Sequence, residues 1–197
     1  FYTGDSGSIY THDVSATDST ATSNTAFGIT AMDAITTGDS NSAFGNSALG
    51  ANTTGIKNSA VGKDALLDNT TGAGNTSLGF ATLANNTTAN DNVAIGKEAL
   101  FTNITGANNT AVGKDAMFYN TASDNIAIGK GAMTANTTGT RNLAIGVGAY
   151  DSSDTENDNL AIGYNAMTTN TAGGTENTAI GNYSMDTLTS GDQNTAV

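Results

Sequence analysis

The residues with the chemistry to bind or react are few, and the densest group is the stretch Asp151-Ser152-Ser153-Asp154-Thr155-Glu156-Asn157-Asp158. Oxygen ligands crowded into one loop could hold Ca²⁺ through Asp151, Asp154, Glu156 and Asp158, since hard cations take carboxylate and carbonyl oxygens. The spacing matches neither the EF-hand loop nor the Gly-rich nonapeptide of Ca²⁺-binding β-rolls, so the stretch reads first as a solvated loop. The chain has one histidine, His12, and no cysteine. A lone imidazole with no second soft ligand nearby makes neither a zinc site nor a catalytic pair. Lys63, Lys97, Lys114 and Lys130 share one phase, and three of them are followed by Asp64, Glu98 or Asp115; like charges stacked in this way need such neighbours, which describes a solvated face. No nucleophile-base pair, phosphate loop or convergent carboxylate dyad is present, so the expectation is a protein that is not an enzyme.

Asn-x-Ser/Thr sequons at Asn52, Asn69, Asn103 and Asn136 fall in turn-like segments and are candidate glycosylation acceptors. A column of threonines, Thr54, Thr71, Thr88, Thr105 and Thr138, interrupted at Ala122 and Ala172, could offer a regular face to ice or to a glycan. The formal charge of −12, from 18 acidic and 6 basic residues, works against binding to nucleic acid or to an anionic bilayer. No apolar run approaches the ~20 residues of a membrane span, so no membrane insertion is expected of this segment. The chain starts without Met and stops inside a new repeat unit, as a segment of a longer protein would.

What positions all these residues is a repeat. Asn24, Asn41, Asn58, Asn75, Asn92, Asn109, Asn125, Asn142, Asn159, Asn177 and Asn194 each open a unit; eight of the ten intervals are 17 residues, one is 16 and one is 18. With the leading Asn as position 1, each unit reads Asn-x-Ala-φ-Gly-x-x-Ala-φ, where φ is large and apolar, and then turns through Asn-x-Thr-Gly. Residues 24–197 form this array, and residues 1–23, which do not follow it, form a cap or junction. An array grows along one axis, so length measures fibre here and not domain count. Gly, Thr and Asn content, and the lack of a 3.6-residue apolar period, disfavour helix. The expected fold is all-β: a parallel β-solenoid or β-roll of about ten 17-residue coils, on the order of 50 Å long at the usual strand spacing.

If two short extended segments flank the Gly, alternation of side chains assigns φ to the inside and Ala to the outside. On that reading the coil core is Ile95, Leu100, Val112, Met117, Ile128, Met133, Ile145, Ile162 and Met167. Ala94, Ala99, Ala111, Ala116, Ala127 and Ala132 then form a flat outer face where identical chains approach closely, as in a side-by-side homo-oligomer.

The copies Asn58-Ser-Ala-Val-Gly62, Asn92-Val-Ala-Ile-Gly96, Asn125-Ile-Ala-Ile-Gly129 and Asn159-Leu-Ala-Ile-Gly163 resemble the head repeats of trimeric autotransporter adhesins. They are equally similar to the Asn-Thr-Ala-Val-Gly arrays of phage tail-fibre and bacterial surface-fibre proteins. The resemblance spans residues 24–197, with a longer unit here than in the adhesin heads. It implies a left-handed parallel β-roll of three chains, serving as a rigid shaft or head outside the cell or on a virion. Its expected partners are copies of itself, side by side and end to end as a filament, with a cell-surface glycan or receptor as the attached target. The expectation from a different class is a ligand-binding solenoid acting through the Thr column.

Overall fold

The computed structural model describes residues 9–10, 20–169 and 173–197, and in them the chain is a β-solenoid. Twelve short strands form one parallel sheet in strict sequence order: β1 (Ile9–Tyr10), β2 (Thr25–Phe27), β3 (Ser42–Phe44), β4 (Ser59–Val61), β5 (Thr76–Leu78), β6 (Val93–Ile95), β7 (Thr110–Val112), β8 (Ile126–Ile128), β9 (Leu143–Ile145), β10 (Leu160–Ile162), β11 (Thr178–Ile180) and β12 (Thr195–Ala196). Each strand pairs in register with the equivalent residues one coil away, so Ala94 lies opposite Ala111 and Ile95 opposite Val112. Ahead of the first repeat, Ile9 and Tyr10 pair with Thr25 and Ala26 and extend the sheet by one strand; at the end of the expected cap Ala21 is buried and the Thr22 N–H donates to Asp39 Oδ1 at 2.6 Å, while residues 1–8 and 11–19, with His12, lie outside the described residues.

The strand occupies positions 2–4 only. Its central Ala faces inward and is fully buried, as at Ala94, Ala111, Ala127 and Ala144, while positions 2 and 4 face outward, as alternation requires. This reverses part of the expected core. Ile95 and Ile128 are 36% and 40% exposed, and Val112, Ile145 and Ile162 are half-buried on the same outer face. Ala94, Ala99, Ala111, Ala116, Ala127 and Ala132 lie inside the coil at 0% exposure, so they present no surface to another chain.

The physical reason lies after the strand. The segment following position 5 is not extended. Position 5 is Gly at φ between 125° and 141° in Gly96, Gly113 and Gly129, and positions 7 and 9 are left-handed: Glu98 at 57°, Leu100 at 51°, Asp115 at 58° and Met117 at 52°. Parity counted through three such residues fails, and positions 8 and 9 both turn inward. Leu100, Met117, Met133 and Met167 are completely buried next to the second Ala column. A left-handed Leu or Met costs about 1–2 kcal/mol; burying its side chain contributes about 1.5–3 kcal/mol, and its amide is not wasted. The N–H of Leu100 donates to Ala116 O at 3.0 Å in the next coil, as Met117 does to Ala132 O.

The rest of the interior is amide. The leading Asn of every unit is buried or nearly so from Asn24 to Asn177. Asn92 Nδ2 donates across its own coil to Gly106 O at 2.9 Å, and Asn92 Oδ1 accepts from the backbone N–H of Asn109 at 2.9 Å. This second bond recurs across every interval, including the 16-residue step to Asn125 and the 18-residue step to Asn177. A second ladder at position 12 links Asn52, Asn69, Asn86 and Asn103 through their carboxamides. It is interrupted at the short coil, where Asn103 Oδ1 is buried with no partner and Asn120 Nδ2 donates only to Ala122 O; it resumes with Asn136 Nδ2 donating to Asn120 Oδ1 and is interrupted again at Asn136 Oδ1, where the next coil carries Ser153. Where one coil carries hydroxyls in the Ala columns, both are bonded, Ser77 Oγ to Thr82 O and Thr82 Oγ1 to Gly96 O, as buried polar groups must be.

At position 5 adjacent coils meet backbone to backbone. A Cβ placed on Gly96 would sit 2.6 Å from Gly113 O, and the φ there is one that side chains rarely adopt. Gly96→Ala is expected to destabilise the fold by about 3 kcal/mol, through backbone strain plus displacement of the next coil. Gly131, also at positive φ but with nothing nearer than 3.4 Å to an added Cβ, is the control: Gly131→Asn should change stability by less than about 0.5 kcal/mol. Chemical denaturation of the three proteins followed by circular dichroism checks both values.

Candidate functional site

Placing Ala inside leaves the position-4 column outside. Phe27, Phe44, Val61, Leu78, Ile95, Val112, Ile128, Ile145, Ile162 and Ile180 lie in one in-register line along the sheet. Phe27 is 59% exposed and Leu78 46%. Across the buried Ala, position 2 changes character along the rod. It is hydroxylic at Thr25, Ser42, Ser59 and Thr76, and mostly aliphatic from Val93 through Ile126, Leu143 and Leu160. From β6 to β10 the apolar strip is therefore two columns wide, interrupted at Thr110. Contiguous apolar surface of this kind is uncommon on soluble monomers.

The adjoining face carries the lysines. Lys63 Nζ lies 3.1 Å from Asp64, Lys97 3.4 Å from Glu98 and Lys114 3.0 Å from Asp115, with the lysine side chains half or more exposed. Lys63 and Lys97 also flank the Phe80 ring, at 5.5 and 5.9 Å from its centroid. Exposed pairs of this kind contribute little to stability; they neutralise a stack of like charges.

The four candidate calcium ligands are put to different uses. Glu156 is buried and accepts from the N–H groups of Asp154 and Thr155 at 3.1 Å and of Gly173 at 3.0 Å. Asp158 takes a two-pronged contact from Arg141, at 2.6 and 2.7 Å. Hydrogen bonding to Arg141 holds the Asp158 carboxyl below its usual range, and the same bond raises Arg141. Asp192, bonded by the Thr175 N–H and hydroxyl, is lowered in the same way. Asp151 accepts from Ser152, and Asp154 is exposed. Among the described residues no three acidic, His or Cys side chains gather as a metal site.

The glycosylation candidates are corrected by burial. Asn52, Asn69, Asn103 and Asn136 are all at 0% exposure, inside the second ladder. Each donates Nδ2 to the carbonyl three residues on, at 2.8–3.0 Å, and a glycosylated Nδ2 would both lose that bond and push the coils apart. Of the remaining sequons, Asn108 and Asn182 have exposed side chains. The ladder residues were visible in the sequence as Asn at a fixed phase, but phase alone does not separate a turn Asn facing water from one facing the axis.

The Thr column does face water: Thr54, Thr71, Thr88, Thr105 and Thr138 are exposed. Where the preceding residue is also Thr it is used internally, Thr53 Oγ1 donating to Thr70 O and Thr70 Oγ1 to Thr87 O at 3.0 Å. Comparison with protein-family models, with curated proteins and with solved structures finds no significant match for this chain.

Passed through a eukaryotic secretory pathway, folded and soluble protein is expected to carry N-glycans at Asn108 or Asn182 and none at Asn52, Asn69, Asn103 or Asn136. Site-resolved peptide mass spectrometry reads the occupancy directly.

Proposed function

We propose that the protein is a non-enzymatic structural rod, the shaft or head of an extracellular or virion fibre. Identical chains lie side by side as a homotrimer, with the position-4 column, and not the Ala columns, at their shared surface. The observation that carries this reading is the straight line of large apolar side chains on the outside of the sheet. A soluble rod gains by covering such a line, and copies of the same chain supply a matching line at the same spacing. The resemblance of the repeat to adhesin heads and fibre shafts supports three as the number of chains and attachment as the purpose. The mechanism is geometric: many weak identical contacts along an axis give stiffness, and several copies of any attached binding surface act together.

Light scattering should give a mass three times the 19.7 kDa chain. The double variant Ile95→Asp, Ile128→Asp alters only outward side chains, so it should keep its β-solenoid circular dichroism and fall to the mass of one chain. A single-chain mass for the unaltered protein would sink the trimer.

A second reading is favoured by the exposure of the Thr column over consecutive coils: a regular hydroxyl-and-methyl face that binds ice. Thermal hysteresis that is lost in Thr88→Tyr would support it. A solution showing no hysteresis rules it out.

A further inference from the structure

A shallow groove runs beside the rod, on a different face from the apolar strip, between the position-7 side chains and those at positions 10 and 11. At one place its walls become aromatic. There Glu98, Asp115, Phe118, Tyr119 and Thr134 line a depression of about 260 Å³. Phe118 stacks on Phe101 of the preceding coil, with ring centroids 5.1 Å apart, and meets Tyr119 edge-on at 4.7 Å. Tyr119 is 52% exposed, which leaves an open aromatic surface in a chain whose aromatic content is only 6%. Along the same groove toward β2, the equivalent depression is lined by Asp33, Ser47 and Leu67 among others, with no aromatic side chain, so the aromatic wall is not required by the coil.

The polar side of the depression consists of acceptors. Glu98 and Asp115 each give one oxygen to a lysine, Lys97 at 3.4 Å and Lys114 at 3.0 Å. The other oxygen of Asp115, Oδ1, is shielded from water and has no donor, a state that buried acceptors seldom keep. Asp115 lines the same depression as Tyr119, so its carboxylate is the acceptor nearest to hand for a donor held there. Because Lys97 and Lys114 already balance the two carboxylates, the depression is close to neutral, which disfavours a cationic ligand. An aromatic surface beside hydrogen-bond acceptors suits a molecule with an apolar face and hydroxyl donors at its edge. The volume lies just under the range of pockets that hold drug-sized ligands, which fits a single ring.

The geometry points to a carbohydrate subsite here: a neutral pyranose ring stacks on Tyr119 and the edge of Phe118 and donates a hydroxyl to Asp115, with Glu98 as a second acceptor. The site goes beyond a structural role for the rod and uses none of the outward strip residues. Saturation-transfer NMR on the full chain, with the methyl glycosides of glucose, galactose, mannose and N-acetylglucosamine as probes and tetramethylammonium as the cationic control, tests it. At least one glycoside should bind with a dissociation constant in the millimolar range, on the order of 1 mM. Tyr119→Ala should weaken that binding about tenfold, the contribution of one aromatic contact. Asp115→Asn, a residue type that tolerates the left-handed φ of 58° at this position, keeps the fold and an acceptor but exchanges one acceptor oxygen for a donor; it should weaken binding by several-fold. Both variants are checked for unchanged circular dichroism and unchanged mass, so a failed trimer and a failed sugar site are read separately. Absence of binding by all four glycosides, binding that survives Tyr119→Ala, or binding of tetramethylammonium alone overturns the assignment.

Discussion

Everything in this molecule follows from coils meeting at strand spacing with glycine backbones in contact. Once Gly96 O and its equivalents stand where a neighbouring Cβ would be, the coils are flat and their amides must find partners in the next coil. The section they enclose is then small. It holds two methyl groups, one Leu or Met and two carboxamides per turn, and nothing larger without a matching loss. The coil beginning at Asn142 shows the limit: Tyr150 replaces Leu or Met, and its hydroxyl accepts from the first-ladder Asn159 at 2.7 Å while Ser153 stands in place of the second Asn.

The same constraint explains why an interior this polar holds together. A carboxamide can both accept a backbone N–H from one coil and donate to a carbonyl of its own, so the leading Asn closes a turn and joins two turns at once. Apolar side chains could fill the space but could not satisfy the amides where the chain turns back. The outer strip is the other side of this division: with the axis taken by methyls and amides, the large β-branched and aromatic residues of the strand are left on the surface, where only another molecule can cover them.

Much of the fold was legible in the sequence, and for a definite reason. The period, the parallel coil stacking and the burial of Leu100, Met117, Met133 and Met167 follow from spacing that tolerates almost no drift. The facing of the strand was not legible, because it depended on the conformation of residues such as Glu98 and Leu100, whose types give no warning of a left-handed backbone. Ile95 and Ala94 exchanged places on that account. The groove at Phe118 and Tyr119 was also hidden, since the residues that meet there come from positions 7, 10 and 11 of neighbouring coils, and only the turn between them decides that they share a wall.

The short coil beginning at Asn109 has a consequence for the rod as a whole. In a one-dimensional stack each unit is held by its two neighbours, and cohesion is a sum over junctions. Dropping one residue leaves the first ladder whole and cuts the second at Asn103. Ser153 interrupts the second ladder again at Asn136, so the rod has two junctions held by fewer carboxamide bonds than the others, both away from its ends, and heat or tension meets the least cohesion there.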